Sequence, residues 1–286
     1  MVSQDLHKLH FYAIIRKTIL RIMGVLSFCA SSMARISALP NGPKHPGLCE
    51  RMVIKVADED ILLVAFRYGE SLFPTANVFY NDTSGTVMSI AWLFYFMRYK
   101  KHKILIDVGN GNIDVFRRYG FLMRNFHKPV CLLKQFGLVP DDITDVFVTH
   151  SDFDHIGDIN LYKNAKIYIQ EDEMEKCAGC IEKGRDIIVF RSYIRVYDKF
   201  ELVCVGGHTV GSSIVRFEQN GIHYVLGGDE CYVNESLEKG IPIGRSYNIG
   251  KSRAFIEEYR KPCCKVYFFH EPAVVKGDLP YQLLLE

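Results

Sequence analysis

The feature that most constrains this chain is a series of apolar, strand-like runs that are each followed by a histidine or an aspartate. The runs cover residues 146–148, 202–205, 224–226 and 266–269, and the polar residues that follow them are His150, His208, Asp229 and His270. Loops that leave strand ends converge on ligand sites in open α/β folds. The sequence therefore predicts sheet layers covered by helices, with these four side chains delivered to one site.

The first of these loops has the sequence THSDFDHIGD and offers four candidate metal ligands. Residues two apart in an extended segment project to the same side, so His150 and Asp152 can reach one ion together. Asp154 and His155 can turn toward a second ion, and Gly157 permits the tight turn that follows. Imidazole and carboxylate are ligands that borderline divalent metals accept. The spacing therefore predicts two divalent ions at this loop.

These motifs together resemble the metallo-β-lactamase-fold hydrolases, over roughly residues 53–275. The family pattern is His-x-His-x-Asp-His, followed along the chain by a histidine after a glycine, an aspartate and a last histidine. The matching positions are His150, Asp152, Asp154, His155, His208, Asp229 and His270. The resemblance implies an α/β fold, a four-layer αββα sandwich, with two divalent ions, usually zinc. It also implies that Asp107 does not bind a metal itself but holds a metal-binding side chain in position. A hydroxide bridging the ions would be the nucleophile.

Within this family the chain most resembles the acyl-homoserine-lactone lactonases. Tyr232 lies three residues after Asp229, and residues 207–211 read GHTVG, as in those enzymes. The resemblance implies that Tyr232 donates a hydrogen bond to the substrate carbonyl. It also implies that Asp154 orients the nucleophile and moves its proton to the leaving oxygen. The other interpretation of Tyr232 is an aromatic side chain that packs at the rim of the site.

Asp152 departs from the family pattern, which has histidine at this position. The flavodiiron branch carries glutamate there, so a carboxylate is compatible with a working site. In a formal count, Asp152, Asp154, Asp229 and a bridging hydroxide together cancel the charge of two divalent ions. We therefore expect a less acidic bridging water and a shift toward iron or manganese, because carboxylates suit harder ions. The alternative is that Asp152 faces solvent or supports a ligand, beside a weakened or single-metal site.

The function predicted from the resemblance is metal-dependent hydrolysis of a lactone or other ester in a small-molecule substrate. Hydrolysis of a thioester, a β-lactam or a phosphodiester on the same metals is an alternative. A non-catalytic metal-binding or sensor protein, with a site impaired at Asp152, is the alternative from another class. The oligomeric state stays open.

Composition argues against two other kinds of partner. The chain of 286 residues has a formal net charge of +2 and no long basic run, so it lacks the electrostatic footprint of a nucleic-acid-binding protein. The apolar stretches 22–30 and 87–96 are too short to span a bilayer, so no stable membrane insertion is expected. Nine cysteines, an odd number, indicate free thiols in a reducing compartment, and hence a cytoplasmic protein.

Three cysteine features carry further hypotheses. Cys177 and Cys180 have redox-like or zinc-like spacing, and the adjacent Cys263 and Cys264 would complete a second site; the alternative, which we favour, is that these cysteines form no site. Cys231, beside the predicted metal site, is either oxidation-sensitive or a small buried apolar residue.

Residues 1–51 differ from the rest of the chain. Arg16, Lys17 and Arg21 precede the apolar run 22–30, and residues 40–47 are rich in proline and glycine. Both a signal peptide, which would make the protein exported, and a poorly ordered extension fit this pattern. We place the hydrolase domain at residues 52–286.

Apolar spacing predicts helices over residues 114–126, 129–137 and 252–260. Residues 234–248, which contain Gly240, Pro242 and Gly244, are expected to form a loop or lid over the site. Arg245 in this segment would meet an anionic group of the substrate, unless it is a solvated surface residue.

Overall fold

The computed structural model describes residues 60–285, and within this range strands form two β-sheets. The strands are β1 (Leu62–Pro74), β2 (Val87–Tyr99), β3 (His102–Ile106), β4 (Asp145–Phe147), β5 (Lys166–Gln170), β6 (Ile187–Phe190), β7 (Tyr193–Val196), β8 (Phe200–Cys204), β9 (Ser213–Gln219), β10 (Ile222–Leu226), β11 (Cys264–Tyr267) and β12 (Tyr281–Leu285). The α-helices are α1 (Thr75–Val78), α2 (Ile113–Arg118), α3 (Pro129–Gln135), α4 (Phe153–Ile156), α5 (Glu171–Cys177), α6 (Asn234–Lys239) and α7 (Ile249–Tyr259). Short 3₁₀ turns cover Pro140–Asp142, Ile159–Leu161 and Pro272–Val274.

The first sheet mixes antiparallel and parallel pairs. Its strand order is β12-β1-β2-β3-β4-β5-β6, and the second sheet has the order β11-β10-β9-β8-β7. The strands from β3 to β6 run parallel to one another, whereas β1 pairs antiparallel with both β2 and β12. In the second sheet, β10 and β11 are parallel and the other pairs are antiparallel. Parallel strands place their carboxyl ends at the same sheet edge. His150 follows β4 of the parallel strands in the first sheet, and Asp229 and His270 follow the parallel pair β10 and β11 in the second.

The hydrophobic core lies between the two sheets. Buried side chains of the first sheet, such as Leu93 and Ile106, belong to one cluster with Leu202, Val215 and Leu226 of the second sheet. The middle of β2 is buried on both faces, which matches its unbroken apolar sequence.

Helices cover the outer face of each sheet. Phe66 of β1 packs its ring 5.6 Å from that of Phe136, at the end of α3. On the other side, Tyr259 of α7 accepts a hydrogen bond at 3.0 Å from Arg216 of β9. Helix, sheet, sheet and helix therefore follow one another, and the predicted four-layer αββα sandwich is confirmed.

The helix predicted over residues 114–126 is wrong in its second half. Helix α2 ends at Arg118, because Gly120 adopts a left-handed backbone with φ of +85°. The chain then runs extended, and Arg124 and Glu70 exchange backbone hydrogen bonds of 2.8 and 3.0 Å. Pairing with β1 therefore overrides the helical spacing of the apolar residues.

The segment after Tyr232 also differs from its prediction as a loop. Residues Asn234–Lys239 form helix α6, which ends at Gly240 with a left-handed φ of +70°. The rest of the segment joins α1, since Gly244 N donates to Asn77 O at 3.0 Å. A side chain at position 244 would place its Cβ 1.8 Å from the carbonyl oxygen of Ala76, so this close approach requires glycine.

The predictions for residues 1–51 lie outside the described residues. The signal-like stretch, the expected localisation and the proposed domain start at residue 52 therefore stay predictions. Within residues 60–285, no helix has the length and apolar character needed to cross a membrane.

Candidate metal centre

The ends of five strands meet at one place between the two sheets. His150, His208, Asp229 and His270 follow the ends of β4, β8, β10 and β11, and Asp107 follows β3. Backbone hydrogen bonds join the sheets here: Ser213 N donates to Thr149 O at 2.8 Å, and Leu93 N donates to Phe269 O at 3.0 Å. The loops that carry the predicted ligands are thus fixed to each other by the sheet framework.

Six of the seven predicted ligands fall into two buried groups. The first group is His150, His208 and Asp229, and the second is Asp154, His155 and His270; within each group, candidate ligand atoms lie within 4.8 Å of one another. Each group combines imidazole with carboxylate, which is the donor set of a divalent transition-metal site. The structure therefore brings together residues up to 120 positions apart in the sequence, from 150 to 270.

Asp229 reaches both groups. Its Oδ1 lies 3.4 Å from His155 Nε2, and its Oδ2 lies 3.3 Å from His270 Nε2, both in the second group. The same Oδ2 lies 3.7 Å from His150 Nε2 and 3.7 Å from His208 Nε2 in the first group. This carboxylate is therefore placed to be shared between two ions.

Supporting contacts turn the imidazole rings toward the centre. The Nδ1–H of His155 donates to Asp107 Oδ2 at 2.6 Å, and that of His270 donates to the carbonyl oxygen of Ala91 at 2.9 Å. Each contact leaves Nε2 aimed inward. Asp107 has a left-handed φ of 55° and also accepts from Thr149 N at 2.8 Å. The position predicted for Asp107, behind a ligand, agrees with this geometry.

Buried polar atoms at the centre fit a cation. His150 Nε2, His155 Nε2 and Asp229 Oδ1 are buried and lack a hydrogen-bond partner among the described residues. Buried polar atoms normally have partners, so a set of orphans aimed at one point needs an explanation. Imidazole nitrogen and carboxylate oxygen are metal donors, and a bound divalent ion would satisfy all three atoms.

The charges at the centre depend strongly on one another. Burial lowers the pKa of His150 well below its ordinary value, and the neighbouring His155 lowers it further, so His150 is a neutral imidazole ready to bind a metal. Burial raises the pKa of Asp229, but His270 and His155 outweigh it and hold that pKa well below its usual range. Asp229 is therefore a carboxylate, the form that binds a cation.

Asp152 lies at the edge of the first group. Its Oδ2 is 3.4 Å from His208 Nε2 and 3.7 Å from His150 Nε2, while its Oδ1 accepts from Lys176 Nζ at 2.9 Å. Burial raises the pKa of Asp152, but the hydrogen bond to His208 and the positive charges around it lower that pKa well below its usual range. At the position where the family pattern has histidine, a carboxylate oxygen thus faces His150 and His208 of the first group.

Two buried glutamates that the sequence analysis missed hold the metal loops. Glu173 of α5 accepts from Ser151 N at 2.8 Å and Gly211 N at 3.3 Å, and so ties the His150 loop to the His208 loop. Glu230 accepts from Gly207 N at 3.2 Å and from the Ser212 hydroxyl, inside the His208 loop. A glutamate next to the bridging aspartate was a weak signal for Glu230. No local pattern indicates Glu173, because its partners are distant in sequence.

Tyr232 lies beside the centre, as predicted. Its ring is 5.1 Å from that of His270 and 5.9 Å from that of His208. Burial raises the pKa of Tyr232 well above its ordinary value, and the carboxylate of Asp229 adds to this effect. Its hydroxyl therefore stays protonated and can donate a hydrogen bond but cannot act as a base at neutral pH.

An aromatic wall, defined as Phe73, Trp92, Phe121 and Phe153, adjoins these residues. The Trp92 ring lies 4.9 Å from His270, and the Phe73 ring lies 5.6 Å from Tyr232. Trp92 contacts Phe121 at 4.9 Å and Phe153 at 6.3 Å between ring centroids. This side of the centre is apolar, whereas the ligand side is charged.

The cysteine hypotheses receive little support. No cysteine in the described part of the chain belongs to either metal-capable group. Burial raises the pKa of the Cys177 thiol to about 11, and that of the fully buried Cys231 well above its ordinary value. Such thiols stay protonated and unreactive. The geometry thus favours Cys231 as a small buried apolar residue.

Comparisons with known proteins agree with this geometry. Residues 93–194 match the family model described as the Metallo-beta-lactamase superfamily. An N-acyl homoserine lactonase of Bacillus cereus is 24% identical over 233 residues, which cover 73% of this chain and 92% of that relative.

Solved structures show the same fold. An N-acyl homoserine lactone hydrolase with the product N-hexanoyl-L-homoserine at its catalytic metal centre has a TM-score of 0.66 at 19% identity, covering 75% of this chain and 95% of that one. A dizinc quorum-quenching lactonase in complex with a product has a TM-score of 0.60 at 15% identity, covering 80% of this chain and 95% of that one. The described domain has the metallo-β-lactamase fold.

Proposed function

Because this chain carries a metallo-β-lactamase superfamily domain, we propose that it is a metal-dependent hydrolase that opens a lactone or another ester. The observation that carries the proposal is the position of Asp229, whose two oxygens face both ligand groups. Two ions that share this carboxylate would lie close enough to act on one substrate bond. When bound, they supply Lewis acidity and an activated water as the nucleophile.

We assign the ligands of these ions as follows. The first ion would be held by His150, Asp152, His208 and Asp229, and the second would be held by Asp154, His155, His270 and Asp229. Zinc is the proposed metal, because imidazole and carboxylate together suit it and the family generally binds it. Iron or manganese is the alternative that the extra carboxylate of Asp152 favours.

The chain's own residues supply orientation and proton transfer. Asp154 is buried and its Oδ2 lies 3.2 Å from His155 Nε2 and 3.5 Å from His270 Nε2, where it can orient the nucleophile and pass a proton to the leaving oxygen. The protonated hydroxyl of Tyr232 donates to the carbonyl oxygen as negative charge develops on it. Asp107 keeps His155 in the required orientation throughout.

The aromatic wall supports a substrate with an apolar part. Trp92 and Phe73 place apolar surface directly beside His270 and Tyr232. An ester or lactone with an acyl chain would direct its carbonyl to the ligands and its chain to this wall. Lactonase relatives support the same class of substrate. A role of Arg245 in meeting an anionic group stays a prediction.

The reaction class is tested by screening metal-reconstituted protein on matched panels of lactones, simple esters, thioesters, β-lactams and phosphodiesters. We expect the highest kcat/KM on a lactone or ester with an apolar acyl chain. A higher kcat/KM on thioesters, β-lactams or phosphodiesters would contradict the proposed hydrolysis of a lactone or ester. Metal-loaded protein with no turnover on any panel would instead support a metal-binding or sensor role.

Metal content gives a prediction that does not depend on the substrate. Protein purified without chelators is expected to contain two divalent ions per chain, mainly zinc, and chelation is expected to lower its Tm by roughly 10 °C. The shift arises because the ions bind the folded chain only, where the buried donors converge. Elemental analysis and thermal unfolding measure both effects. An unchanged Tm after complete metal removal would contradict a centre that is built from buried ligands.

Replacing Tyr232 with phenylalanine is expected to lower kcat by about 10-fold to 100-fold with little change in KM. The ring and its packing against Phe73 are retained, while the hydrogen bond to the developing oxyanion is lost. Tyr119→Phe is the matched control, because Tyr119 is an exposed tyrosine whose ring stacks on Phe153 at 4.3 Å. Equal kinetics for the two variants would return Tyr232 to the role of a packing residue.

A further inference from the structure

The two carboxylate oxygens of Asp152 have different partners, because one pairs with Lys176 and the other faces the first ligand group. Lys176 Nζ occupies Oδ1 at 2.9 Å, and this leaves Oδ2 facing His208 Nε2 at 3.4 Å and His150 Nε2 at 3.7 Å. One oxygen is therefore offered to the first ligand group, and the other is held outside it. A carboxylate held in this way binds an ion through a single oxygen.

Helix α5 fixes the lysine in place. The Gln170 side chain caps the helix by accepting from Asp172 N at 2.6 Å. Glu173 is buried and hydrogen bonds to both metal loops, so the helix cannot shift without moving those loops. Lys176 comes three residues later, on the same helix face, and its Nζ also lies 3.8 Å from Glu173 Oε2. The ammonium group is thus held between two carboxylates.

The exposure of the Lys176–Asp152 ion pair limits its contribution to folding stability. The side chains of Lys176 and Asp152 are 47% and 32% exposed, so solvent screens the pair and its contribution to folding stability is small. The effect of Lys176 on metal binding would be larger, because its positive charge would repel a divalent ion bound by Asp152. The consequence to measure is therefore metal binding, and not unfolding.

We propose that Lys176 is a positioning residue that makes Asp152 act as a single-oxygen, charge-compensated ligand, electrically equivalent to the neutral imidazole of the family pattern. The formal count made from the sequence omitted this lysine. With Lys176 included, the first ligand group keeps the net charge that it would have with histidine at 152 and no lysine. The argument for iron or manganese over zinc is then weaker. The inference rests on the metal centre of the proposed function but not on its substrate.

A double-substitution cycle tests this inference through affinities for zinc and manganese, measured by competition with a chromogenic chelator. Lys176→Met frees Oδ1 and leaves the charge of Asp152 uncompensated, so the preference for manganese relative to zinc is expected to rise by about fivefold or more. Asp152→His leaves the ammonium beside the ion without its carboxylate, so zinc affinity is expected to fall by about tenfold or more. The combined D152H/K176M variant conserves the net charge of the wild type. Its zinc affinity is expected to return to within about threefold of wild type.

Matched controls separate the charge effect from damage to the fold. K176R keeps the charge and is expected to retain the wild-type metal preference. D152H/K183M removes an exposed lysine elsewhere and is expected to stay as weak as D152H. The inference is overturned if K176M keeps the manganese-to-zinc preference within about twofold of wild type, or if K176M rescues D152H no better than K183M does. Wild-type protein that binds no divalent ion would overturn the proposed function itself, before any variant is compared.

Discussion

Replacing Asp229 with alanine is expected to lower hydrolysis by more than about 100-fold, because loss of a mere supporting partner of a metal ligand already costs 10-fold to 100-fold. The two Asp229 oxygens face both ligand groups, at 3.4 Å from His155 Nε2 and 3.7 Å from His150 Nε2. Each group would lose its shared oxygen donor, so fewer than two ions should remain per chain. Elemental analysis and kcat/KM on the best substrate measure the two losses.

Two further variants sharpen this test. Asp229→Asn keeps the shape of the side chain but removes its charge and replaces one carboxylate oxygen with an NH2 group that cannot bind a cation. It should therefore lose nearly as much activity as Asp229→Ala. Asp186→Ala removes an exposed aspartate that pairs with Lys166 at 3.5 Å on the surface, and it should be neutral. If Asp229→Ala kept a tenth of the activity together with two ions, the shared-carboxylate arrangement would be wrong.

The sequence alone predicted the parts of this centre that have local signals. A histidine or aspartate after an apolar run marks a strand end, and loops that leave strand ends converge on ligand sites. His150 and Asp229 could therefore be placed near each other, although β4 and β10 belong to different sheets. The four-layer fold followed from the resemblance that these motifs carry. Both depend on residues close together in the sequence.

Features that arise from tertiary contacts were beyond the sequence analysis. The helix predicted through residue 126 failed because Arg124 pairs with Glu70, a partner whose proximity no periodicity reveals. The charge count at Asp152 was incomplete because Lys176 is 24 residues away along the chain. The sequence does not reveal that helix α5, which carries Lys176, packs against the metal loops.

Glu173 is the strongest example of such a contact, and its loss is expected to destabilise the protein by about 3–5 kcal/mol. Its side chain is 2% exposed and accepts from Ser151 N at 2.8 Å, from the Ser151 hydroxyl, from the Thr209 hydroxyl and from Gly211 N at 3.3 Å. Glu173→Ala would leave these donors buried without an acceptor. It would also disconnect the loop of His150 from the loop of His208.

Metal affinity should fall together with stability, because the two loops deliver the imidazoles of the first ligand group. We expect Glu173→Ala to weaken zinc binding by at least about tenfold, in the range found for groups that support metal ligands. Glu175→Ala, an exposed change on the same helix, should alter neither quantity. Denaturant unfolding of the metal-free protein isolates the stability effect, and chelator competition isolates the metal effect. A Glu173→Ala variant as stable as Glu175→Ala would mean that the loops hold their positions through the sheet framework alone.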